Sequence, residues 1–164
     1  LQANGISVQY DTDEKQRPGF KFAENELKGI PVRIGIGNRD LEAGQVEVAR
    51  RDTKTKSMMA IEGLAQSIQN LLEDIQQNLF EKAKKFRQEH TTHADNFNDF
   101  QEILNQKGGF IAAHWDGTPE TENEIKLKTK ATIRCIPNDQ DKSPGKCVFS
   151  GQPSKGKVLF AKAY

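Results

Sequence analysis

Pro31-Val-Arg-Ile-Gly-Ile36 and Gln45-Val-Glu-Val-Ala49 decide the reading of the fold. Each alternates apolar and polar residues, as a strand with one buried face must, because successive side chains point to opposite sides of a sheet. Upstream, Ile6-Ser-Val-Gln-Tyr10 repeats the alternation. Between these stretches Phe20, Phe22, Ala23 and Leu27 make a short helical face ending at Lys28-Gly29, where Gly29 suits the left-handed conformation that caps a helix. Strand, helix, strand, strand is an α/β pattern. Three strands and one short helix can hardly cover both faces of a sheet, and the opening strand has no earlier neighbour. With Leu1 rather than Met in first position, the expectation is a truncated three-layer α/β domain over 1–57 whose upstream strand and helix lie outside these 164 residues.

Downstream the texture changes. Ile61, Leu64, Ile68, Leu71, Leu72, Ile75, Leu79, Ala83 and Phe86 recur at helical spacing and predict one helix from Met58 to about Gln88, its apolar stripe packing within the second half. A second helix is expected from Asp95 to Gln106, stopped by Gly108-Gly109. Then follow a strand at Phe110–Trp115, a helix at Glu120–Lys128 and a strand at Ala131–Ile136. Lys146–Phe149 and Lys157–Ala161 read as a closing hairpin. Residues 58–164 are therefore expected to form an α+β domain.

Composition narrows the function classes. Lys and Arg total 24 against 23 Asp and Glu, a net charge of +1, so no global basic field drives unspecific nucleic-acid binding. No apolar run approaches the roughly 20 residues that span a bilayer, and no leader pattern opens the chain. The expectation is a cytoplasmic protein without membrane contact. Two cysteines, Cys135 and Cys147, do not make a secreted disulfide framework; Cys135, in a predicted strand, is expected to be buried.

Few motifs carry chemistry alone. His90 and His93 are spaced for one helical face but straddle the expected helix end, where a histidine suits the last carbonyls. Gly35-Ile-Gly37 lacks the rest of any phosphate loop and reads as a strand end and turn. No nucleophile-elbow context is present, so no catalytic residue is expected. Arg50-Arg51, Lys54 and Lys56 form a basic cluster that fits either a solvated hairpin tip or a phosphate contact. Phe20 and Phe22 offer rings for base stacking, though at least one of them is expected in the core.

Taken together, Arg17-Pro-Gly-Phe-Lys-Phe22, Glu26-Leu-Lys-Gly-Ile-Pro-Val-Arg33, Ile36-Gly-Asn-Arg-Asp-Leu-Glu42 and Val48-Ala-Arg-Arg-Asp-Thr53 resemble the anticodon-binding domain of class II prolyl-tRNA synthetases. Asn78-Leu-Phe-Glu-Lys-Ala83, Ala113-His-Trp115, Lys130-Ala-Thr-Ile-Arg-Cys-Ile-Pro137, Gly145-Lys-Cys147 and Val158-Leu-Phe-Ala-Lys-Ala-Tyr164 resemble the extra C-terminal domain of the archaeal- and eukaryote-like members. The implied function is recognition of the proline tRNA anticodon within an enzyme that charges tRNA with proline using ATP and Mg²⁺. The alternative is a freestanding tRNA-binding or interaction module of the same ancestry. The implied partners are the anticodon stem-loop, a catalytic domain of the same chain and a second subunit of a homodimer. The 164 residues alone are expected to be inactive and to hold no cofactor.

The anticodon of proline tRNA carries two guanines, each with N1–H and N2–H donors on one edge and O6 and N7 acceptors on the other. By motif, the resemblance makes Phe22 a stacking ring and Glu26 an acceptor for guanine donors. It makes Arg33, Arg39 and Asp40 edge or backbone contacts and adds Lys56. Glu26 and Arg33 also fit a surface ion pair, and Arg39 and Asp40 a simple turn. The family's zinc cysteines, in two pairs, fall on Asp116 and Thr121 and on Cys147 and Ser150. A structural zinc site takes four N or S ligands, so the expectation is no metal, with hydrogen bonds and packing in its place. The resemblance also directs Tyr164 toward the active site of the complete enzyme.

Overall fold

The computed structural model describes residues 1–163. Packing divides the chain into two compact units, with the boundary between Ala83 and Lys84.

In the first unit a single 3-10 turn at Gln2–Asn4 is followed by α1 (Pro18–Leu27), β1 (Val32–Gly35), α2 (Asn38–Glu42), β2 (Gln45–Arg50) and β3 (Thr55–Ala60). A long helix, α3 (Leu64–Glu89), begins here and runs past the boundary. The strands form an antiparallel sheet in the order β1-β2-β3. Register places Val32, Ile34, Val46, Val48 and Met59 against Leu64, Ile68, Leu71 and Leu72 of α3. The opposite face carries Arg33, Ala49 and Lys56 in one cross-strand row. One face is thus apolar and covered while the other is polar, which is what the alternation in β1 and β2 requires.

Four expectations fail here. Ile6–Tyr10 forms no strand: it pairs with no strand of the described sheets, and an extended segment without a partner cannot satisfy its backbone. Ile6 instead packs with Leu1 at the margin of the small core. The helix expected from Met58 starts only at Leu64, because Met58 and Met59 pair with Glu47 and Val46 in β3. The stripe on α3 does not pack within the second half. Its first turns cover the three-stranded sheet, while Leu79 and Phe86 are exposed. Helix α1 buries no residue; Phe20 is exposed, Phe22 half-buried, and neither belongs to a core cluster.

The second unit contains β4 (Thr91–Ala94), α4 (Phe97–Gln106), β5 (Phe110–Trp115), α5 (Pro119–Thr129), β6 (Ala131–Cys135) and β7 (Gly156–Lys162). The sheet order is β4-β5-β7-β6, with β4 and β5 parallel and β7 antiparallel to both its neighbours. Phe100 of α4 and Ile125 of α5 reach the sheet and close a core with Ile111, Ala113, Val158 and Phe160. Phe100 meets Phe160 edge-on, with ring centroids 5.2 Å apart. Helix boundaries follow local chemistry: Asn96 accepts from the Asp99 N–H at 3.0 Å to start α4. Thr118 and Pro119 open α5, with Glu120 and Glu122 in the first turn and Lys126 and Lys128 in the last.

The closing hairpin is corrected. β7 inserts between β5 and β6, and Lys146 instead bridges to Pro153 within a separate turn. Gly145 is obligatory there, because a Cβ at this position would lie 2.3 Å from His114 Nε2. Cys135 is exposed and Cys147 buried, so the burial expected of Cys135 is also corrected; β6 is an edge strand, which leaves Cys135 uncovered. His90 stacks on Phe86 at the end of α3 while His93 lies in β4, so the two share no helix face. Among the described residues no helix is long and apolar enough to cross a membrane.

Candidate nucleic-acid interface

Phe22 and Glu26 are four apart on α1 and therefore share one side of that helix. The left-handed Gly29 ends the helix and turns the chain into β1, which brings Arg33 up beside them. Phe22, Asn25, Glu26, Ile30, Arg33 and Arg51 line a single cleft with free volume of about 30 Å³. The Arg33 guanidinium lies flat on the Phe22 ring, 3.5 Å from its centroid, an attractive cation–π contact. That separation leaves no room for a base between them. Arg33 does not pair with Glu26; its carboxylate neighbour is Glu47 at 3.7 Å, which also holds Lys56 at 3.1 Å. Glu26 is exposed and lines the cleft, and its main-chain oxygen accepts from Arg51 Nε at 2.9 Å.

Of the six residues singled out as anticodon contacts, the structure thus brings three into one cleft. Lys56 stands on the same sheet face as Arg33, across Ala49. Arg39 and Asp40 lie on α2, outside the cleft lining. Asp40 accepts from the Gly37 N–H at 2.9 Å and so caps that short helix, while Arg39 is exposed.

A second polar group underlies the first unit. Arg50 grips Asp52 with two bonds of 2.6 and 2.8 Å and also bonds Asp74 of α3. Asn78 donates to Asp52 at 2.6 Å. The Asp52 side chain is almost fully buried, and the Arg50 hydrogen bonds hold its carboxyl well below the usual range. The same bonds, from Asp52 first and Asp74 second, raise the Arg50 pKa.

In the second unit Asp116 organises a clasp. Its Oδ2 accepts from Thr121 Oγ1 at 2.8 Å and from Ser150 Oγ at 2.6 Å. Its Oδ1 accepts from the Thr118 N–H at 3.0 Å and from Thr118 Oγ1 at 2.9 Å. Burial pushes the Asp116 pKa up, but the bonds from Ser150, Thr121 and Thr118 outweigh it and bring the carboxyl down to about 2. Cys147 is buried beside this network, its N–H donating to the Gln152 oxygen at 2.8 Å and its own oxygen accepting from Gly151. Among the described residues no cluster of three or more His, Cys, Asp or Glu is placed to hold a metal ion. Tyr164 lies outside the described residues.

Comparison with known proteins now fits these parts together. Residues 1–71 match the model of an anticodon-binding domain, and residues 97–164 match that of the prolyl-tRNA synthetase C-terminal domain. The chain belongs to the prolyl-tRNA synthetase family. Over its whole length it is 56% identical to a proline–tRNA ligase of Christiangramia forsetii and 55% identical to one of Porphyromonas gingivalis, covering 33% of each. A crystal structure of the Cryptosporidium parvum prolyl-tRNA synthetase, complexed with L-proline and AMP, superposes with a TM-score of 0.88. Identity there is 34%, over all of this chain and 35% of that one. The chain therefore spans about a third of the length of its prolyl-tRNA synthetase relatives, as their anticodon-binding and C-terminal domains. Its fold is a mixed α/β anticodon-binding domain followed by the α+β C-terminal domain.

Two participants escaped the sequence reading: Glu47, which joins Arg33 to Lys56, and Asp52, the buried anchor of Arg50; Arg51, noted there only within the basic cluster, lines the cleft. Glu47 had a signal in the strand alternation, since it faces the same side as Arg33. Asp74 had none, because its bond with Arg50 joins residues 24 positions apart.

Proposed function

We propose that this chain reads the anticodon of proline tRNA for an enzyme that activates proline with ATP and Mg²⁺ and transfers it to that tRNA. The observation that carries the reading is the cleft where Phe22, Glu26 and Arg33 meet. It joins a stacking ring, a carboxylate for the N1–H and N2–H donors of guanine, and a cation. A base splayed from the anticodon loop stacks on Phe22 by taking the place of Arg33, which moves toward Glu47, its neighbour at 3.7 Å. Lys56 extends the positive face toward the RNA backbone. Arg39, exposed on α2, contacts the loop from outside the cleft, and Asp40 orders that helix through Gly37.

Both matched regions of the chain are non-catalytic parts of the family, which supports the reading that the 164 residues alone neither form prolyl-adenylate nor charge tRNA. The catalytic domain of the longer polypeptide would be their intramolecular partner and a second subunit their partner in a homodimer. The Tyr164 end would approach that catalytic domain. The donor set at the degenerate zinc positions supports a metal-free clasp, since the Thr121 and Ser150 hydroxyls donate to Asp116 instead of presenting thiolates.

Titration of the full-length protein with proline tRNA and with the same tRNA carrying adenines in place of the two anticodon guanines tests the function. The expected result is at least tenfold preference for guanine; equal affinity would refute it. ATP–pyrophosphate exchange by the 164-residue chain is expected to be nil, and measurable exchange would overturn the inactive assignment.

A further inference from the structure

The basic cluster Arg50-Arg51, Lys54 and Lys56 is only partly accounted for by the contacts above. Arg50 is held by Asp52 and Asp74, and Lys56 by Glu47. Arg33 lies on Phe22 and near Glu47. Arg51 differs from all three. It lines the same cleft, and its one side-chain bond among the described residues goes from Nε to a neutral acceptor, the Glu26 main-chain oxygen. Its own N–H is tied to the Pro31 oxygen at 3.0 Å. The backbone and the near end of the guanidinium are thereby fixed, while among the described residues neither Nη group has an acceptor and no carboxylate pairs with the charge.

We propose that Arg51 is a specificity-determining residue that reads the O6 and N7 acceptors of a guanine held in the Phe22 cleft. The proposal rests on the anticodon-reading function above. A planar guanidinium fork matches that acceptor pair with two parallel bonds. Glu26 takes the N1–H and N2–H donors of the same base. Because Arg51 is tethered to the main chain of Glu26, both readers are positioned by one residue, and O6 lies between the two edges they address. An adenine in the cleft would turn its N6 amino donors toward the guanidinium and offer no N1–H to the carboxylate. Guanine is thereby selected from two sides. Arg33, displaced from the ring by the base, turns to the Glu47 carboxylate and is committed there, so it does not supply this fork.

The test is filter binding by the full-length protein of anticodon stem-loops carrying guanine, 7-deazaguanine or adenine at each guanine position, with wild type, Arg51→Lys and Arg51→Ala. Lysine keeps the charge and can still donate to the Glu26 oxygen but has no fork. Thermal melts check that both variants remain folded. The expected result is that Arg51→Lys weakens guanine binding about tenfold or more. Replacement of N7 should weaken wild type at one of the two positions and leave Arg51→Lys unaffected. Two results would overturn the proposal. One is an Arg51→Lys variant that responds to 7-deazaguanine as wild type does. The other is an Arg51→Ala variant that loses affinity equally for every loop while its salt slope falls by about one, the signature of a phosphate contact. A wild type that does not distinguish guanine from adenine would instead remove the anticodon-reading function itself, so the two failures are separable.

Discussion

The Phe22 cleft, beside β1, and the Asp116 clasp, at the end of β5, are both small polar clusters, yet they use their hydrogen-bonding capacity in opposite ways. In the clasp the carboxylate accepts four bonds from residues within its own unit, and little remains for an outside group. In the cleft Glu26 is exposed, Arg51 retains both Nη groups, and the face of Phe22 is covered only by a displaceable side chain. A saturated cluster stabilises the fold. An unsatisfied one on a rigid frame is available to a ligand.

The largest effect expected from this contrast is on stability at the clasp. Asp116→Ala leaves the Thr118 N–H and three hydroxyls without their acceptor and should cost about 3 kcal/mol, read by urea unfolding followed on the second unit, with guanine-loop binding unchanged. In the cleft the order reverses. Phe22→Ala removes a stacking platform and should weaken RNA binding roughly tenfold or more, and Glu26→Ala about as much, while the latter shifts stability by no more than about 0.5 kcal/mol, as is usual for an exposed site. A Glu26→Ala variant that melts far below wild type would break the comparison.

Acid should expose the clasp next. The Asp116 pKa of about 2 lies below its ordinary value near 3.9, so the folded state favours the ionised form. Its contribution is complete above about pH 4 and is lost as pH falls toward 2. The urea midpoint of the second unit should decline through that window, and Asp116→Asn should flatten the decline. Smaller still are two effects without structural consequence. A chelator should leave the melting temperature unchanged and metal analysis should find no stoichiometric zinc. A thiol reagent should modify exposed Cys135 in the native protein and reach Cys147 only on unfolding.

Much of the fold is legible wherever a segment's own pattern decides it. β1 and β2 follow their alternation, β5 and β6 form at short apolar stretches between polar or glycine-containing segments, and α4 and α5 follow their caps. What is illegible depends on neighbours. Ile6–Tyr10 carries strand alternation but has no edge to join, whereas Thr55–Ala60 becomes a strand because β2 offers one. The stripe from Leu64 to Phe86 is continuous in sequence, yet only its first turns meet a sheet. The candidate site divides in the same way. Phe22 and Glu26 share a helical face by spacing alone, while Arg33 joins them only because Gly29 turns the chain back, and Arg51 arrives by strand pairing.

By itself the sequence determined the family, the polar and apolar faces of most elements, and the loss of the zinc thiolates, because each of these resides in residue types at short spacing. Only the tertiary structure decided which cations are already paired and which carboxylate anchors the clasp. It also showed that Phe22 faces Arg33 and that Arg51, tied through Nε to the Glu26 oxygen, has no carboxylate partner among the described residues. Charge compensation depends on distances of a few ångströms between residues remote along the chain, and folding alone sets those distances.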